Sequence, residues 1–315
     1  MGFSHYDATI TRSYISSRTA AGVSVMDHAV AVNEGRAENK AHPTLDMRIP
    51  NRAGRIIRES LDSEAHPNSL PIAVCLDTTG SMSTIPSKVV LQLPKLMDLL
   101  IKAKYVSDPH ILFGAVNDAT TYPAAALEVG QFESGNQMDG CLTNILVSQG
   151  GGGGTQCESY ELIMFVLARL TELDSLKKRN KKGYCFILGD EKPYSFVSKL
   201  EVKEWIGIDI EADIPTTTIL EELKQKFNVY WLFPSNAQNS RDRGVKAHLQ
   251  GLFGQNLIML KDEETICTTI AATIAINEGR DPRTVTEELK DGFKDNPDDI
   301  QVIIDSIPPR RFDDL

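Results

Sequence analysis

Three separated segments of the chain carry oxygen-bearing side chains at spacings that suit a hard metal ion. Asp77, Thr79 and Ser81 alternate along the sequence, so an extended or tightly turned loop aims all three side chains at one point. Thr155 follows a run of five glycines, and Asp190 follows another apolar run. Carboxylates and hydroxyls suit Mg²⁺ or Mn²⁺ better than Zn²⁺, which prefers nitrogen and sulfur. These five residues therefore predict a site for Mg²⁺, with Mn²⁺ or Ca²⁺ as alternatives.

Each of these residues also has a simpler structural explanation. An Asp after a strand is a common helix cap or turn residue, and Thr155 is a good cap for a following helix. The glycine run is not a standard phosphate loop, because Gln156 stands where that motif needs a lysine. Asn117 and Asp118, which end another predicted strand, are expected to be turn residues. The metal interpretation therefore depends on the three segments meeting in space.

The elements that position these residues are strands alternating with helices. Continuous apolar runs predict buried strands, and helical spacing of apolar residues predicts helices. The predicted strands are 71–76, 111–116, 183–189, 229–233 and 256–260, with a short edge strand within 124–132. The predicted helices are 87–104, 138–147, 156–173, 195–205, 218–227, 245–253 and 263–277. This alternation predicts an α/β fold, a doubly wound and mostly parallel Rossmann-like sheet with one short antiparallel edge strand.

Two extensions flank this pattern. Residues 1–67 lack sustained periodicity, apart from an amphipathic stretch at 51–64 that predicts a helix. We expect this extension to pack on the main domain of residues 68–279. Residues 280–315 form an acidic, proline-containing C-terminal extension with one helix predicted near 284–293.

Composition narrows the possible partners and location. The net charge is −10 and the pI is near 5.2, so no general basic field attracts nucleic acid. No apolar run is long enough for a membrane span, and the first ten residues do not resemble a secretory signal. The five cysteines are widely spaced without a C-x-x-C pair, and the histidines show no zinc-site spacing. Reduced thiols and a cytoplasmic location are the expectation.

The candidate residues resemble a known family. The segment D-x-T-G-S-M after a buried strand resembles the D-x-S-x-S motif of von Willebrand factor type A (VWA) domains, with Thr79 in place of the first serine. The loop ending in Thr155 and the strand ending in Asp190 resemble that family's second and third metal loops, over about residues 68–279. The resemblance implies a VWA-like fold with a metal-ion-dependent adhesion site (MIDAS). There Thr79, Ser81 and Thr155 would approach the metal directly or through water, while Asp77 and Asp190 orient the ligands.

The third loop departs from the family pattern. It reads Gly-Asp-Glu-Lys from position 189, where the family more often has Thr-Asp-Gly, so the geometry around Asp190 is not fixed by the resemblance. The segment 191–217 follows directly. It either shapes a rim for a partner beside the metal or forms a helix that covers the sheet.

The leading functional hypothesis is a binding module rather than an enzyme. A cation held mainly by neutral hydroxyls keeps its positive charge, so an Asp or Glu of a protein partner completes its coordination. One alternative is a haloacid dehalogenase-like phosphotransferase or phosphatase with Asp77 as the nucleophile. Another is a structural or assembly protein with a vestigial site. No nucleic acid or membrane partner is expected, and self-association is possible.

Overall fold

The computed structural model describes residues 4–50, 54–122, 124–147, 155–293 and 296–308. The strands are β1 (Arg58–Ser60), β2 (Ser69–Asp77), β3 (Asp108–Val116), β4 (Leu127–Val129), β5 (Cys157–Glu158), β6 (Thr171–Leu173), β7 (Gly183–Leu188), β8 (Lys192–Pro193), β9 (Phe196–Val197), β10 (Ile214–Pro215), β11 (Phe227–Pro234) and β12 (Leu257–Leu260). The helices are α1 (Ala8–Ala21), α2 (Asp27–Asn33), α3 (Ile85–Met97), α4 (Gln137–Thr143), α5 (Tyr160–Arg169), α6 (Asp174–Arg179), α7 (Lys199–Trp205), α8 (Thr216–Lys226), α9 (Arg243–Phe253), α10 (Ile266–Asn277), α11 (Pro282–Phe293) and α12 (Pro297–Ser306).

The main sheet has six strands within the described residues, in the order β12-β11-β7-β2-β3-β4. All neighbouring pairs are parallel except β3 and β4, which are antiparallel. The predicted α/β fold, with a mostly parallel sheet and one antiparallel edge strand, is therefore confirmed.

The central strand β2 shows why this sequence forms a sheet that is covered on both faces. Ile72, Val74 and Leu76 pack into one hydrophobic core, with α3 and α10. Ala73 and Cys75, the residues between them, pack into a second core with α5, α8 and α9. Alternate side chains of a strand point to opposite faces, so a strand buried on both faces is apolar throughout.

The chain changes direction across the sheet at β2. From β2 the chain crosses to β3 on one side, and it later returns to β7 on the other side. Helix α3, which follows β2, packs in the first core, whereas α7 and α8, which follow β7, pack in the second. The carboxyl ends of β2 and β7 therefore border a topological switch point, the place where open α/β sheets form their ligand crevices.

The N-terminal region contains structure that the sequence patterns did not predict. Helices α1 and α2 lie within residues that lack clear periodicity, and α1 packs against α3. The helix predicted at 51–64 is wrong, because the chain forms β1 there and pairs in parallel with β6. Arg58, whose side chain is buried, donates through Nη2 to the carbonyl of Val129 at 2.9 Å. The backbone N–H of Val129 in turn donates to the carbonyl of Leu45 at 2.8 Å, so the N-terminal region covers the edge strand β4.

A second correction concerns the long helix predicted at 156–173. The structure divides this stretch into β5, the helix α5, which is buried from Tyr160 to Ala168, and β6. The two residues of β5 pair with β8, and this pairing keeps them out of the helix. Within the described residues, no helix has both the length and the apolar character needed to cross a bilayer.

Candidate metal centre

Asp77 is the last residue of β2, and its carboxylate is fully buried. The backbone N–H and the hydroxyl of Thr79 donate to Asp77 Oδ1 at 2.8 and 2.6 Å. The hydroxyl of Tyr160, from the first turn of α5, donates to Asp77 Oδ2. These three hydrogen bonds fix the orientation of the carboxylate at the end of the strand.

The loop after Asp77 is held against the neighbouring strand. Thr78 donates to the carbonyl of Val116 through its backbone N–H at 3.1 Å and its hydroxyl at 3.0 Å. Thr79 is buried and precedes a short 3-10 helix, Gly80–Met82. The side chain of Ser81, the third residue of the predicted motif, lies outside the part of the structure that is described.

Asp190 lies two residues beyond the end of β7, and it is 1% exposed. Its Oδ2 accepts hydrogen bonds from the backbone N–H of Asn239 at 3.0 Å and from that residue's side-chain amide at 3.3 Å. The same amide donates to Glu191 Oε1 at 3.1 Å. Asn239 therefore ties the loop after β11 to the loop after β7.

The two strand ends are close enough to interact electrostatically. Burial is the main cause that raises the pKa of Asp77 from 3.8 to about 7, and the nearby charge of Asp190 adds to it. Burial also raises the pKa of Asp190. The structure thus places Asp77, Thr79 and Asp190 close together, and their role as a metal site stays a prediction.

Gly189, directly before Asp190, is closely packed against Tyr160. A Cβ atom at this position would lie only 2.6 Å from Cε1 of Tyr160, and nearer still to the hydroxyl that donates to Asp77. The carbonyl of Gly189 accepts a hydrogen bond from Trp231 Nε1 at 2.9 Å, and Trp231 packs edge-to-face on Tyr160. A threonine does not fit here, because Tyr160 occupies the space for its side chain.

Thr155 is exposed and belongs to a second set of contacts. Its hydroxyl donates to the carbonyl of Cys157 at 3.1 Å and lies 3.5 Å from the hydroxyl of Tyr194. Tyr194 also donates to Asp118 Oδ1 at 3.0 Å. Among the described contacts none joins Thr155 to Asp77, and the glycines at 150–154 lie outside the described residues. Asp118 accepts from the backbone N–H of Thr120 at 2.9 Å, which is the turn role expected of it.

Glu158 is a buried carboxylate of this centre that the sequence analysis missed. It has no exposed surface, and neither of its oxygens has a hydrogen-bond partner within the described structure. Burial raises its pKa to about 10, with further contributions from the charges of Asp77, Glu191 and Asp118. In the sequence, Glu158 is the first acidic residue after the glycine run, which could have identified it. It was not singled out because it falls within the helix predicted at 156–173.

The centre is strongly acidic. In the described part of the chain, no lysine or arginine pairs with Asp77, Glu158 or Asp190. Buried carboxylates normally pair with a cation, bind a metal or take up a proton. The described residues contain no ready-made cluster of three or more His, Cys, Asp and Glu ligands. Any cation here therefore needs hydroxyl or water ligands as well, which is the donor set that a hard divalent ion accepts.

Comparison with known proteins gives only distant structural similarity. No protein-family model matches the chain, and no curated protein matches it. Two crystal structures of the pilus adhesin SpaC from Lactobacillus rhamnosus GG, one of them in an open conformation, are similar over 71% of this chain. Their sequence identities are 12% and 11%, and the TM-score is 0.46 for both. The match covers 31% and 32% of the adhesin chain, so this protein spans about a third of its length.

Proposed function

We propose that this protein is a VWA-like binding module that holds one divalent cation, Mg²⁺ or alternatively Mn²⁺ or Ca²⁺, and uses it to bind an acidic side chain of a protein partner. The observation that carries the proposal is the position of Asp77 and Asp190. Both are buried carboxylates that follow adjacent parallel strands at the switch point of the sheet.

The hydrogen bonds of Thr79 support a ligand role for its hydroxyl. This group has one hydrogen, which it donates to Asp77 Oδ1 at 2.6 Å. Its lone pairs are therefore left for a cation, and Asp77 fixes their direction. By the family resemblance, Ser81 and Thr155 supply further hydroxyls, and Asp190 orients the ligands from the opposite side.

The electrostatics of the crevice favour a cation over an anionic ligand. Asp77, Asp190 and Glu158 would, when ionised, concentrate negative charge in a buried region, and burial raises the pKa of each. A divalent ion would neutralise much of that charge and allow these carboxylates to remain ionised.

The surface around the crevice supports an acidic partner. Arg241 and Arg243 are exposed, and Arg241 ends the short helix that contains Asn239, the residue bound to Asp190. Exposed guanidinium groups attract carboxylates and accelerate the encounter with an acidic surface. A partner carboxylate would then meet the positive charge of the cation, with Arg241 two residues beyond Asn239 in the chain.

The hydrogen bonds of Asp77 favour binding over phosphoryl transfer. A nucleophilic carboxylate needs an accessible oxygen, whereas both oxygens of Asp77 accept hydrogen bonds and the side chain has no exposed surface. We therefore propose an orienting role for Asp77 rather than covalent chemistry.

A selection for peptide ligands tests this function directly. Displayed random peptides would be selected against the full chain in Mg²⁺ and then measured again with a chelator. We expect the enriched peptides to share an Asp or Glu, and we expect binding to disappear with the chelator or when that residue is changed to alanine. Peptides that bind equally well without a divalent cation, or that share no acidic residue, would overturn the proposal.

A further inference from the structure

The carboxylate of Glu158 is buried without a hydrogen-bond partner in the part of the chain that the structure describes. It has no exposed surface, and within the described structure neither Oε1 nor Oε2 accepts a hydrogen bond. Leaving an ionised carboxylate in this condition is strongly unfavourable, so native proteins give such groups a counter-charge or a metal. The described atoms therefore supply no partner for this side chain.

The backbone on both sides of Glu158 fixes its place between three strand ends. Glu158 itself pairs with Pro193 in the parallel β5-β8 pair, just beyond Asp190. The next residue, Ser159, accepts a hydrogen bond through Oγ from the N–H of Ala119, beyond the end of β3, at 3.0 Å. The residue after that is Tyr160, which donates to Asp77 at the end of β2. Glu158 thus lies where the ends of β2, β3 and β7 meet.

The described groups near Glu158 cannot donate a hydrogen bond to its carboxylate. The hydroxyl of Thr79 is close enough to lower the pKa of Glu158 slightly, but its only hydrogen is donated to Asp77. The other neighbours that act on Glu158 are the carboxylates of Asp77, Asp118 and Glu191. All three are carboxylates, so none of these described neighbours supplies the counter-charge that a proton or a metal ion would supply.

We infer that Glu158 is a direct ligand of the proposed cation beside the hydroxyl of Thr79, while Asp77 and Asp190 orient the ligands. This inference rests on the proposed function and deepens it. A carboxylate ligand makes the site bind a divalent ion more tightly in the absence of a partner than hydroxyl ligands alone do, because hard cations bind more tightly as the ligand charge rises. The competing explanation is a permanently protonated Glu158 that has no part in metal binding.

Terbium luminescence separates these explanations with the metal alone. Tb³⁺ replaces hard divalent ions, and it emits when a nearby aromatic side chain transfers energy to it. Tyr160 binds Asp77 directly, and Trp231 contacts Tyr160 with ring centroids 4.7 Å apart. The wild-type chain would be titrated with Tb³⁺, and Mg²⁺ would then be used to displace it.

Two variants of Glu158 and one neighbouring control define the role of the side chain. We expect Glu158→Gln to weaken Tb³⁺ and Mg²⁺ binding at least about tenfold, since it keeps the shape but removes the anionic ligand. Glu158→Asp keeps the charge but shortens the side chain, and we expect a loss as well. Glu161→Gln makes the same substitution at another buried acidic side chain, whose Oε2 accepts from the N–H of Tyr194 at 3.0 Å and whose pKa burial also raises. We expect that control to change the affinity much less.

The possible results are distinct. Unchanged affinity in Glu158→Gln would support the protonated form and overturn the inference. Equal losses in Glu158→Gln and Glu161→Gln, with full affinity in Glu158→Asp, would show a general effect of charge and would also overturn it. If Asp77→Asn binds both ions as the wild type does, the proposed metal site itself fails. If Asp77→Asn loses binding while Glu158→Gln keeps it, only the role of Glu158 is wrong.

Discussion

Replacing Asp77 with asparagine separates metal binding from folding. Burial raises the pKa of Asp77 from 3.8 to about 7 in the metal-free protein. An acid whose pKa is raised by folding makes the folded state less stable as the pH rises from the ordinary value through the raised one. At pH 8 the ionised carboxylate therefore costs about 4 kcal/mol relative to the unfolded chain.

The variant removes that cost and retains most of the hydrogen bonds. Asparagine still accepts from the N–H and hydroxyl of Thr79, while the bond from Tyr160 is lost or reversed, at about 1–2 kcal/mol. We therefore expect metal-free Asp77→Asn to be more stable than the wild type by about 2 kcal/mol at pH 8. This advantage should shrink as the pH falls toward 5.

The response to Mg²⁺ should be the opposite. A ligand at one hundred times its Kd stabilises the folded state by about 2.7 kcal/mol, which raises Tm by about 4 °C in a chain of 315 residues. We expect this rise in the wild type and none in Asp77→Asn, as measured by thermal unfolding with and without Mg²⁺. An equal rise in both proteins would refute the role of Asp77. So would a variant that is several kcal/mol less stable than the wild type without metal, because the structural account of the buried charge would then be wrong.

Three further substitutions test the supports of the site and the edge of the sheet. Tyr160→Phe removes a hydrogen bond to an ionised group, and calorimetry should show Mg²⁺ affinity reduced about tenfold in a folded protein; unchanged affinity would contradict the positioning role of Tyr160. Gly189→Ala should displace Tyr160, lowering both the affinity for Mg²⁺ and the free energy of unfolding, the latter by about 1–3 kcal/mol. Gly251→Ala is the matched control, because its Cβ would meet nothing within 4 Å and should stabilise α9 by about 0.5–1 kcal/mol; equal losses in both would count against the contact at Gly189. Glu128→Gln addresses a buried edge-strand carboxylate that accepts from the N–H of Leu146 at 3.0 Å and whose pKa burial raises to about 8. Between pH 5 and 8, the free energy of unfolding of the wild type should fall by roughly 3 to 5 kcal/mol more than that of the variant, as measured by chemical denaturation. Parallel pH profiles of the two proteins would contradict this prediction.

The parts of the fold that the sequence predicts are those whose patterns are local. Residues 71–76 and 183–189 are apolar throughout because both faces of β2 and β7 are buried, and such runs are recognisable without neighbours. The general rule for parallel sheets then directs attention to Asp77 and Asp190. The structure places these two carboxylates within electrostatic reach of each other for that reason.

The parts that escaped prediction depend on contacts between distant segments. Residues 51–64 have helical spacing, yet β1 forms there because it pairs with β6, more than a hundred residues later. Glu158 reads as part of a helix, and only the pairing of β5 with β8 places it at the strand ends. The need for glycine at position 189 arises from Tyr160, on another element. Patterns within a single segment carry no record of these pairings.

Crystals grown with Mn²⁺ test the central claim most directly, because anomalous scattering locates the ion independently of the protein atoms. We predict one strong anomalous peak in the crevice at the ends of β2 and β7, within coordination distance of Thr79 and Glu158 and bounded by Asp77 and Asp190. Crystals that contain Mn²⁺ but show no peak there, with Asp77 still bonded to Thr79 and Tyr160, would contradict the account.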